Sequence, residues 1–163
     1  MKVLDRDAGI SPGAAPVVPE ISSERTPRRR TAMAAAAGFS IIAMFQAALA
    51  LGAPWGSASW GGSHEGQLPS ELRIGSAFAV GVWALAVLIV LKRGGFRIPF
   101  IALRLARHGT WIFAALSLLG ALPQFASSSN WERFMWGPLA LALAVMCLVV
   151  ARGDESDPVS TLR

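Results

Sequence analysis

The sequence predicts an all-α integral membrane protein with four transmembrane helices. Hydrophobic residues make up 53% of its 163 residues and charged residues only 15%, whereas a soluble domain averages about 25% charged residues. The charges are also unevenly placed, because the blocks 31–64, 74–91, 108–131 and 134–151 contain no Asp, Glu, Lys or Arg. This distribution excludes a secreted disulfide scaffold, a disordered chain and a nucleic-acid-binding domain.

The four uncharged blocks set the positions of the predicted spans. About 20 apolar residues in a helix cross a hydrocarbon core about 30 Å thick, and a backbone in lipid must satisfy its own hydrogen bonds. We predict a transmembrane domain over residues 32–151, with spans at 32–53, 72–91, 108–126 and 133–151. A cleaved signal peptide is the alternative for the first block, although the block exceeds the usual apolar region of about 7–15 residues.

Local signals support the ends of the first two spans. Gly52 and Pro54 predict the end of the first helix, since Pro lacks an N–H and disfavours helix in the residue before it. Pro69 is suited to the start of the second helix, where its fixed φ costs nothing. Gly94 and Gly95 predict where that helix ends.

The basic residues predict the orientation. Residues 1–31 contain six Lys or Arg, residues 92–107 contain five, residues 152–163 contain two, and the 54–71 loop contains none. With both termini in the cytoplasm, 13 of the 15 basic residues lie inside, as the positive-inside rule requires. We therefore expect a multi-pass protein of a bacterial inner membrane, with a disordered basic N-terminal tail over 1–31 and a cytoplasmic C-terminal tail over 152–163.

The loop before the third span has an amphipathic pattern. If residues 96–108 are helical, Arg97 and Arg104 lie within a narrow arc with Arg107 beside it. Such a helix would lie at the inner surface, with these arginines near anionic lipid headgroups. A plain positive-inside loop is the equal alternative.

Tryptophan is concentrated on the predicted outer side. Trp55, Trp60, Trp131 and Trp136 lie there, and Trp83 lies within the second span. Amphipathic indole rings at headgroup level form an aromatic belt, which is the interpretation we favour. A tryptophan-lined vestibule for a ligand is the alternative.

Few side chains within the spans could take part in proton transfer, ligand binding or metal binding. No Asp, Glu, Lys or Arg lies deep in a span, which argues against proton coupling. Gln46 is the most costly group to bury alone, and we expect it to form a helix–helix hydrogen bond or to contact a ligand. The single Cys147 rules out an intramolecular disulfide. We expect no metal and no cofactor, because no set of three or four ligands has a suitable spacing.

Charged groups also open the second and fourth spans. Ser129 and Glu132 have the spacing of a capping box, in which the hydroxyl accepts the Glu132 N–H and the carboxylate reaches back. Arg73 and Arg133 lie at the same depth as Glu132, so a bridge such as Arg73 with Glu132 is one hypothesis. A functional cluster at the mouth of the bundle is the other.

Four segments carry a resemblance to known proteins. They read LALGAPWGSASWGG, LPSELRIGSA, RHGTWIFAALSLLGAL and SSSNWERFMWGPLALALAVMCLVVA, within residues 45–151. The pattern resembles a group of small, uncharacterised four-span bacterial integral membrane proteins. The resemblance implies topology and says nothing about a reaction.

These observations leave three functions open. We expect a non-enzymatic structural, accessory or lipid-interacting component of the membrane, with the bilayer, a second copy or another membrane protein as partner. The first alternative is a small carrier or ligand-binding protein with a pocket near Gln46 and the outer tryptophans, and the second is a lipid-modifying enzyme. A cavity around Gln46 and Trp83 would favour ligand binding, whereas a bundle packed tightly along its length would favour the accessory role.

Overall fold

The protein is a bundle of four long helices. A computed structural model describes residues 22–153, with side chains from residue 27 onward. The helices are α1 (Ser22–Ala50), α2 (Ser70–Arg93), α3 (Leu103–Ala126) and α4 (Gly137–Arg152). Four helical segments are long and apolar enough to cross a membrane, the last being α4 together with the π-helical turn Glu132–Trp136. Within the described range there is no strand, so the predicted all-α, four-span fold class is confirmed.

The helices alternate in direction around the bundle. Helix α1 packs mainly against α2, α3 packs mainly against α4, and the two pairs meet through α1 with α4 and α2 with α3. The connections 51–69 and 127–131 therefore lie at one end, which we call the loop end. The start of α1, the 94–102 connection and the end of α4 lie at the other, which we call the termini end.

The predicted end of the first helix is confirmed. Gly52 has a φ of +97°, in the left-handed region that a residue without a Cβ adopts freely. Its N–H donates to the Leu49 carbonyl at 3.0 Å, and the Ala53 N–H donates to the Ala48 carbonyl at 2.9 Å. These two bonds are the Schellman arrangement, which satisfies carbonyls at the end of the helix.

The predicted ends of the second helix are also confirmed. Helix α2 begins directly after Pro69 and ends before Gly94. Gly95 has a φ of +91°, and the Phe96 N–H donates to the Leu91 carbonyl at 3.1 Å. The same C-terminal arrangement therefore stops α1 at the loop end and α2 at the termini end.

Two predictions at the termini end were wrong in part. Residues 22–31 are not a tail but the first turns of α1, while the rest of the predicted tail, 1–21, lies outside the described residues. No separate surface helix forms over 96–108, because residues 96–102 are not helical and α3 begins at Leu103. Pro99 explains the break, since it lacks an N–H and disfavours helix at the residue before it.

The apolar core fills the half of the bundle nearer the termini. It contains fully buried side chains from α1, α2 and α4, namely Phe39, Val90, Leu143, Cys147 and Val150. Helices approach closely here: a Cβ on Gly109 would lie 2.7 Å from Ile89 Cδ1, and a Cβ on Gly94 would lie 2.4 Å from Ala32 Cβ. This half is therefore packed without room for added atoms.

Arginine side chains close the termini end. Arg93 is only 2% exposed, and its guanidinium donates to the Ala151 carbonyl in the last turn of α4 at 2.6 Å. Arg28, in α1, donates through Nε to the Arg93 carbonyl at 3.2 Å. Each cation lies at the C-terminal end of a neighbouring helix, where the helix dipole favours positive charge. These bonds join α1, α2 and α4.

Candidate functional site

A cavity occupies the loop half of the bundle. Its volume is about 500 Å³, within the range of about 300–1,000 Å³ that is typical of small-molecule sites. It extends from the middle of the bundle, at Trp83 and Leu143, to the loop end, at Ser59 and Gly61. All four helices and the 51–69 connection contribute to its wall.

Helix α3 supplies the longest part of this wall. Leu116, Ser117, Gly120, Pro123 and Gln124 line the cavity, and their spacing places them on one face of the helix. Leu116, Gly120 and Pro123 are also exposed at the surface of the bundle. The cavity therefore adjoins the surface that would face lipid along the second half of α3.

The π-helical turn places two buried side chains in the cavity wall. Glu132 is 5% exposed and Trp136 is 8% exposed, and both line the cavity. The indole N–H of Trp136 donates to the Ala58 carbonyl at 3.0 Å, which ties the turn to the 51–69 connection. Single π turns are rare and frequently occur at functional sites.

Glu132 makes contacts other than those predicted. The Glu132 N–H donates to Ser129 Oγ at 3.4 Å, as half of a capping box would require. Its carboxylate does not reach back, because Oε1 accepts the backbone N–H of Gly61 at 2.9 Å. The second carboxylate oxygen has no hydrogen-bond partner among residues 22–153.

The predicted bridge between Arg73 and Glu132 is not formed. Arg73 Nε instead donates to the Ala50 carbonyl at 3.1 Å, near the end of α1. Arg133 is exposed, and its guanidinium donates to the Ser127 carbonyl at 2.9 Å. Both guanidiniums are held by backbone carbonyls at helix ends, where carbonyls lack helical partners, and one of these carbonyls belongs to Ser127, a residue of the cavity wall.

The 51–69 connection covers the loop end of the cavity. Its contact with the 127–131 connection includes the Ser129 hydroxyl, which donates to the Ser57 carbonyl at 2.8 Å. Trp60 has a φ of +52°, uncommon for a residue with a side chain. Its indole N–H donates to Ser76 Oγ at 3.3 Å, and its ring lies 3.2 Å from the position a Cβ on Gly75 would take. These contacts hold the Trp60 ring between the connection and α2.

Two polar groups in the wall are buried without partners. The side-chain oxygen of Gln46 and the hydroxyl of Ser117 accept and donate no hydrogen bond among residues 22–153. Ser117 as a whole is 3% exposed. The predicted helix–helix hydrogen bond through the Gln46 oxygen is therefore absent from the described residues. A buried polar atom without a partner is costly, so both groups would gain from a ligand.

Aromatic rings form much of the remaining wall. Phe45 contacts Trp136 with ring centroids 4.5 Å apart, and Trp55 stacks on the other side of Phe45 at 6.0 Å. Deeper in the bundle, Trp83 stacks on Phe39 at 5.6 Å. Trp83, Phe45 and Trp136 line the cavity, while Trp55 supports Phe45 from outside it.

The structure thus brings together part of the predicted set. Gln46, Trp60, Trp83 and Glu132 line one cavity, whereas Trp55 lies behind its wall. Arg133 does not line the cavity, although its guanidinium bonds to the carbonyl of Ser127, which does. Sequence reasoning missed the lining by Phe45 and Gly120, and it missed the Gly61 N–H as the partner of Glu132. Trp136 is one of the outer tryptophans for which a ligand vestibule is the alternative to membrane anchoring.

The aromatic-belt interpretation fits only some of the tryptophans. Trp55 and Trp131 are at least half exposed, as headgroup anchors would be. Trp136 is buried, and the indole N–H groups of Trp60 and Trp136 bond to atoms of the protein. Near the loop end, Trp55 and Trp131 therefore face the surroundings and Trp136 is a buried part of the cavity wall. Trp60 lines the cavity and is also 45% exposed.

The basic residues proposed for lipid headgroups lie at the opposite end. Arg97, Arg104 and Arg107 are all exposed there. Arg97 belongs to the 94–102 connection, and the other two belong to the first turns of α3. None of the three lines the cavity.

Comparison with protein-family models, with curated proteins and with solved structures found no match to this chain. Within residues 22–153, no three His, Cys, Asp or Glu side chains are grouped so that they could hold a metal ion. The described cavity wall contains one ionisable side chain, Glu132. The chemistry open to this wall is therefore hydrogen bonding, aromatic contact and the charge of one carboxylate.

Proposed function

We propose that this protein is a non-enzymatic integral membrane protein that binds an amphipathic, lipid-like molecule in its loop-end cavity. The observation that carries the proposal is a cavity of about 500 Å³ in a bundle whose other half is closely packed. Protein interiors ordinarily contain few voids larger than a water molecule. This cavity adjoins the surface along α3, so a molecule from the bilayer can enter it and fill it.

The wall suits a molecule with an apolar body and a polar end. Ile42, Leu116 and Leu143 supply aliphatic surface in the part of the cavity nearer the middle of the bundle. Glu132 and Ser59 supply polar atoms at the loop end. Binding sites commonly combine an apolar lining with a few polar groups that fix the ligand's orientation.

Binding is better supported than catalysis. Acid–base catalysis uses titratable groups that converge on one reacting atom, and the described wall offers Glu132 alone. A lipid-modifying enzyme would need a second group or a metal in the same place. We therefore propose that the protein interacts with lipid by binding a lipid-like ligand in this cavity.

We also propose that the termini end faces the cytoplasm of a bacterial cell. Arg97, Arg104 and Arg107 are exposed there, and the described loop-end connection 51–69 contains no Lys or Arg. The positive-inside rule then favours this orientation, and it places the exposed arginines near anionic headgroups. The cavity would open toward the outer leaflet.

Native mass spectrometry of the purified protein tests the binding proposal. Gly120→Leu should fill the cavity, since Gly120 lines it and a Cβ there meets no heavy atom within 4 Å. Gly81→Leu is the matched control, because Gly81 is also an exposed helical glycine with no heavy atom within 4 Å of an added Cβ. Gly81 does not line the cavity.

We expect the wild type and Gly81→Leu to retain a bound lipid-sized molecule that Gly120→Leu has lost. If the wild type carries no such molecule at any lipid concentration, the proposal fails. It also fails if Gly120→Leu retains the molecule as well as Gly81→Leu does.

A further inference from the structure

We infer that the ligand is an amphiphilic organic cation, whose ammonium group lies between the Glu132 carboxylate and the tryptophans of the cavity wall. This inference rests on the proposed function and names the chemical class of the ligand. It depends on three features of the loop-end cavity: its one charge, its aromatic rings and the placement of the basic side chains.

The charge of the cavity wall has no counterpart in the described residues. Glu132 is its one ionisable side chain and is 5% exposed. The Gly61 N–H bonds one carboxylate oxygen, and the other oxygen has no partner among residues 22–153. A buried carboxylate is costly without a paired charge, so a cationic ligand would supply what the protein lacks.

Two tryptophans of the cavity wall are linked to this carboxylate through the backbone. Trp60 is the residue before Gly61, whose N–H binds Glu132, and Trp136 belongs to the same π turn as Glu132. Both rings line the cavity, together with Phe45. The faces of such rings attract ammonium groups, and quaternary ammonium ligands are commonly bound in this way.

The basic side chains at the loop end are already bound to backbone carbonyls. Arg73 and Arg133 donate to the carbonyls of Ala50 and Ser127, and neither lines the cavity. An anionic headgroup would therefore meet a carboxylate without a compensating cation. A neutral ligand would leave the charge of Glu132 unpaired.

The remainder of the cavity suits an alkyl or aryl body. Beyond Glu132, the wall continues through Trp83 and Leu116 to Leu143 near the middle of the bundle. A cation fixed at the loop end would therefore extend its apolar part along the bundle axis. A free amphiphilic amine and the ethanolamine headgroup of a lipid share the required ammonium group.

A matched ligand series tests the charge. Octylammonium, octanol and octanoate have the same chain and differ in the charge of the head. Their binding to the full chain in nanodiscs of zwitterionic phosphatidylcholine is measured by titration calorimetry, with empty nanodiscs as the blank. We expect octylammonium to bind at least about tenfold more tightly than octanol, the ratio expected for one hydrogen bond to a charged group.

Glu132→Gln removes the charge and keeps an amide oxygen for the Gly61 N–H. Glu71→Gln is the matched control, because Glu71 is exposed in the first turn of α2 at the same end of the bundle. Glu132→Gln should abolish the preference for octylammonium over octanol, and Glu71→Gln should keep it. Lysophosphatidylethanolamine forms a further arm: competition with octylammonium would identify an aminolipid as the source, and lack of competition would identify a free amine.

Three results separate the failure of this inference from that of the proposed function. If octanol or octanoate binds as tightly as octylammonium, and Gly120→Leu blocks that binding, the cavity binds a ligand but the inferred charge is wrong. If Glu132→Gln keeps the full preference for octylammonium, the inference is also wrong. If no member of the series binds, or Gly120→Leu changes no binding, this inference fails, and native mass spectrometry of the wild type and Gly120→Leu decides the proposed function.

Discussion

The two ends of this bundle are built from the same four helices and differ in how they are filled. At the termini end, an added Cβ on Gly109 or Gly94 would meet a neighbouring helix at 2.7 Å or less. At the loop end, α3 stands beside a cavity of about 500 Å³. The open half is therefore a local feature, because the same helices pack closely a few turns away.

The charges follow the same division. Arg93 is buried at the termini end with its guanidinium on the Ala151 carbonyl, where it joins two helices. Glu132 is buried at the loop end, with one carboxylate oxygen bound to Gly61. We interpret the first as a structural group and the second as a group held for a ligand.

The largest effect on stability is expected from Arg93→Met. The substitution keeps an apolar stem and removes the buried charged hydrogen bond to the Ala151 carbonyl. We expect a loss of about 2–3 kcal/mol in the free energy of unfolding, measured by denaturant titration in detergent. Arg97→Met is the control, since Arg97 is exposed at the same end. Equal stability of the two variants would contradict the structural role of Arg93.

The next effect compares one substitution at two positions of α3. Gly109→Leu forces a side chain against Ile89, and we expect it to destabilise the bundle by about 1–3 kcal/mol. Gly120→Leu enters the cavity and should leave stability unchanged or raise it. Thermal unfolding of both variants checks this. If Gly120→Leu destabilised the protein as much as Gly109→Leu does, the cavity would be closed in solution and the prediction would be wrong.

A smaller effect is expected at the contact between the two loop-end connections. Ser129→Ala removes the acceptor for the Glu132 N–H and the donor to the Ser57 carbonyl. We expect a loss of about 1 kcal/mol and weaker ligand binding, measured by unfolding and by calorimetry. Ser70→Ala, at an exposed serine that begins α2, is the control. If the two variants had the same stability and bound ligand equally well, the Ser129 contact would not hold the 51–69 connection over the cavity.

The orientation can be tested without any effect on stability. Ser63→Cys and Arg97→Cys place thiols at exposed positions of opposite ends, while the native Cys147 is buried. A maleimide that cannot cross membranes should label Ser63→Cys in intact cells and label Arg97→Cys only after lysis. The reverse labelling would overturn the proposal that the termini face the cytoplasm.

Much of the fold could be predicted because its causes are local. The uncharged blocks gave the spans, and Gly52, Pro69 and Gly95 stop or start helices through their own backbone preferences. The predicted ends of a span were less accurate where contacts with residues distant in the sequence determine where the helix ends. Helix α1 extends to Ser22, and its first turns are tied to α2 through Arg28 and Arg93.

The candidate site was predictable only in part. Gln46 and Trp83 stood out because polar or amphipathic groups inside a span are unusual, and both line the cavity. The partner of Glu132 could not be predicted, because the Gly61 N–H is a backbone group far away in the sequence. The wall formed by Gly120 could not be predicted either, since empty space depends on how helices approach and not on the residue alone.

Ligand protection of a thiol in the cavity wall tests the central claim most directly. Gly120→Cys places the thiol in the wall, and Gly81→Cys places one at an exposed helical site that does not line the cavity. Both variants are alkylated in nanodiscs while the octyl compound that binds the wild type most tightly is titrated in. We expect this compound to slow alkylation of Gly120→Cys at the concentration at which it binds and to leave Gly81→Cys unchanged. Equal rates at Gly120→Cys with and without the compound would contradict it.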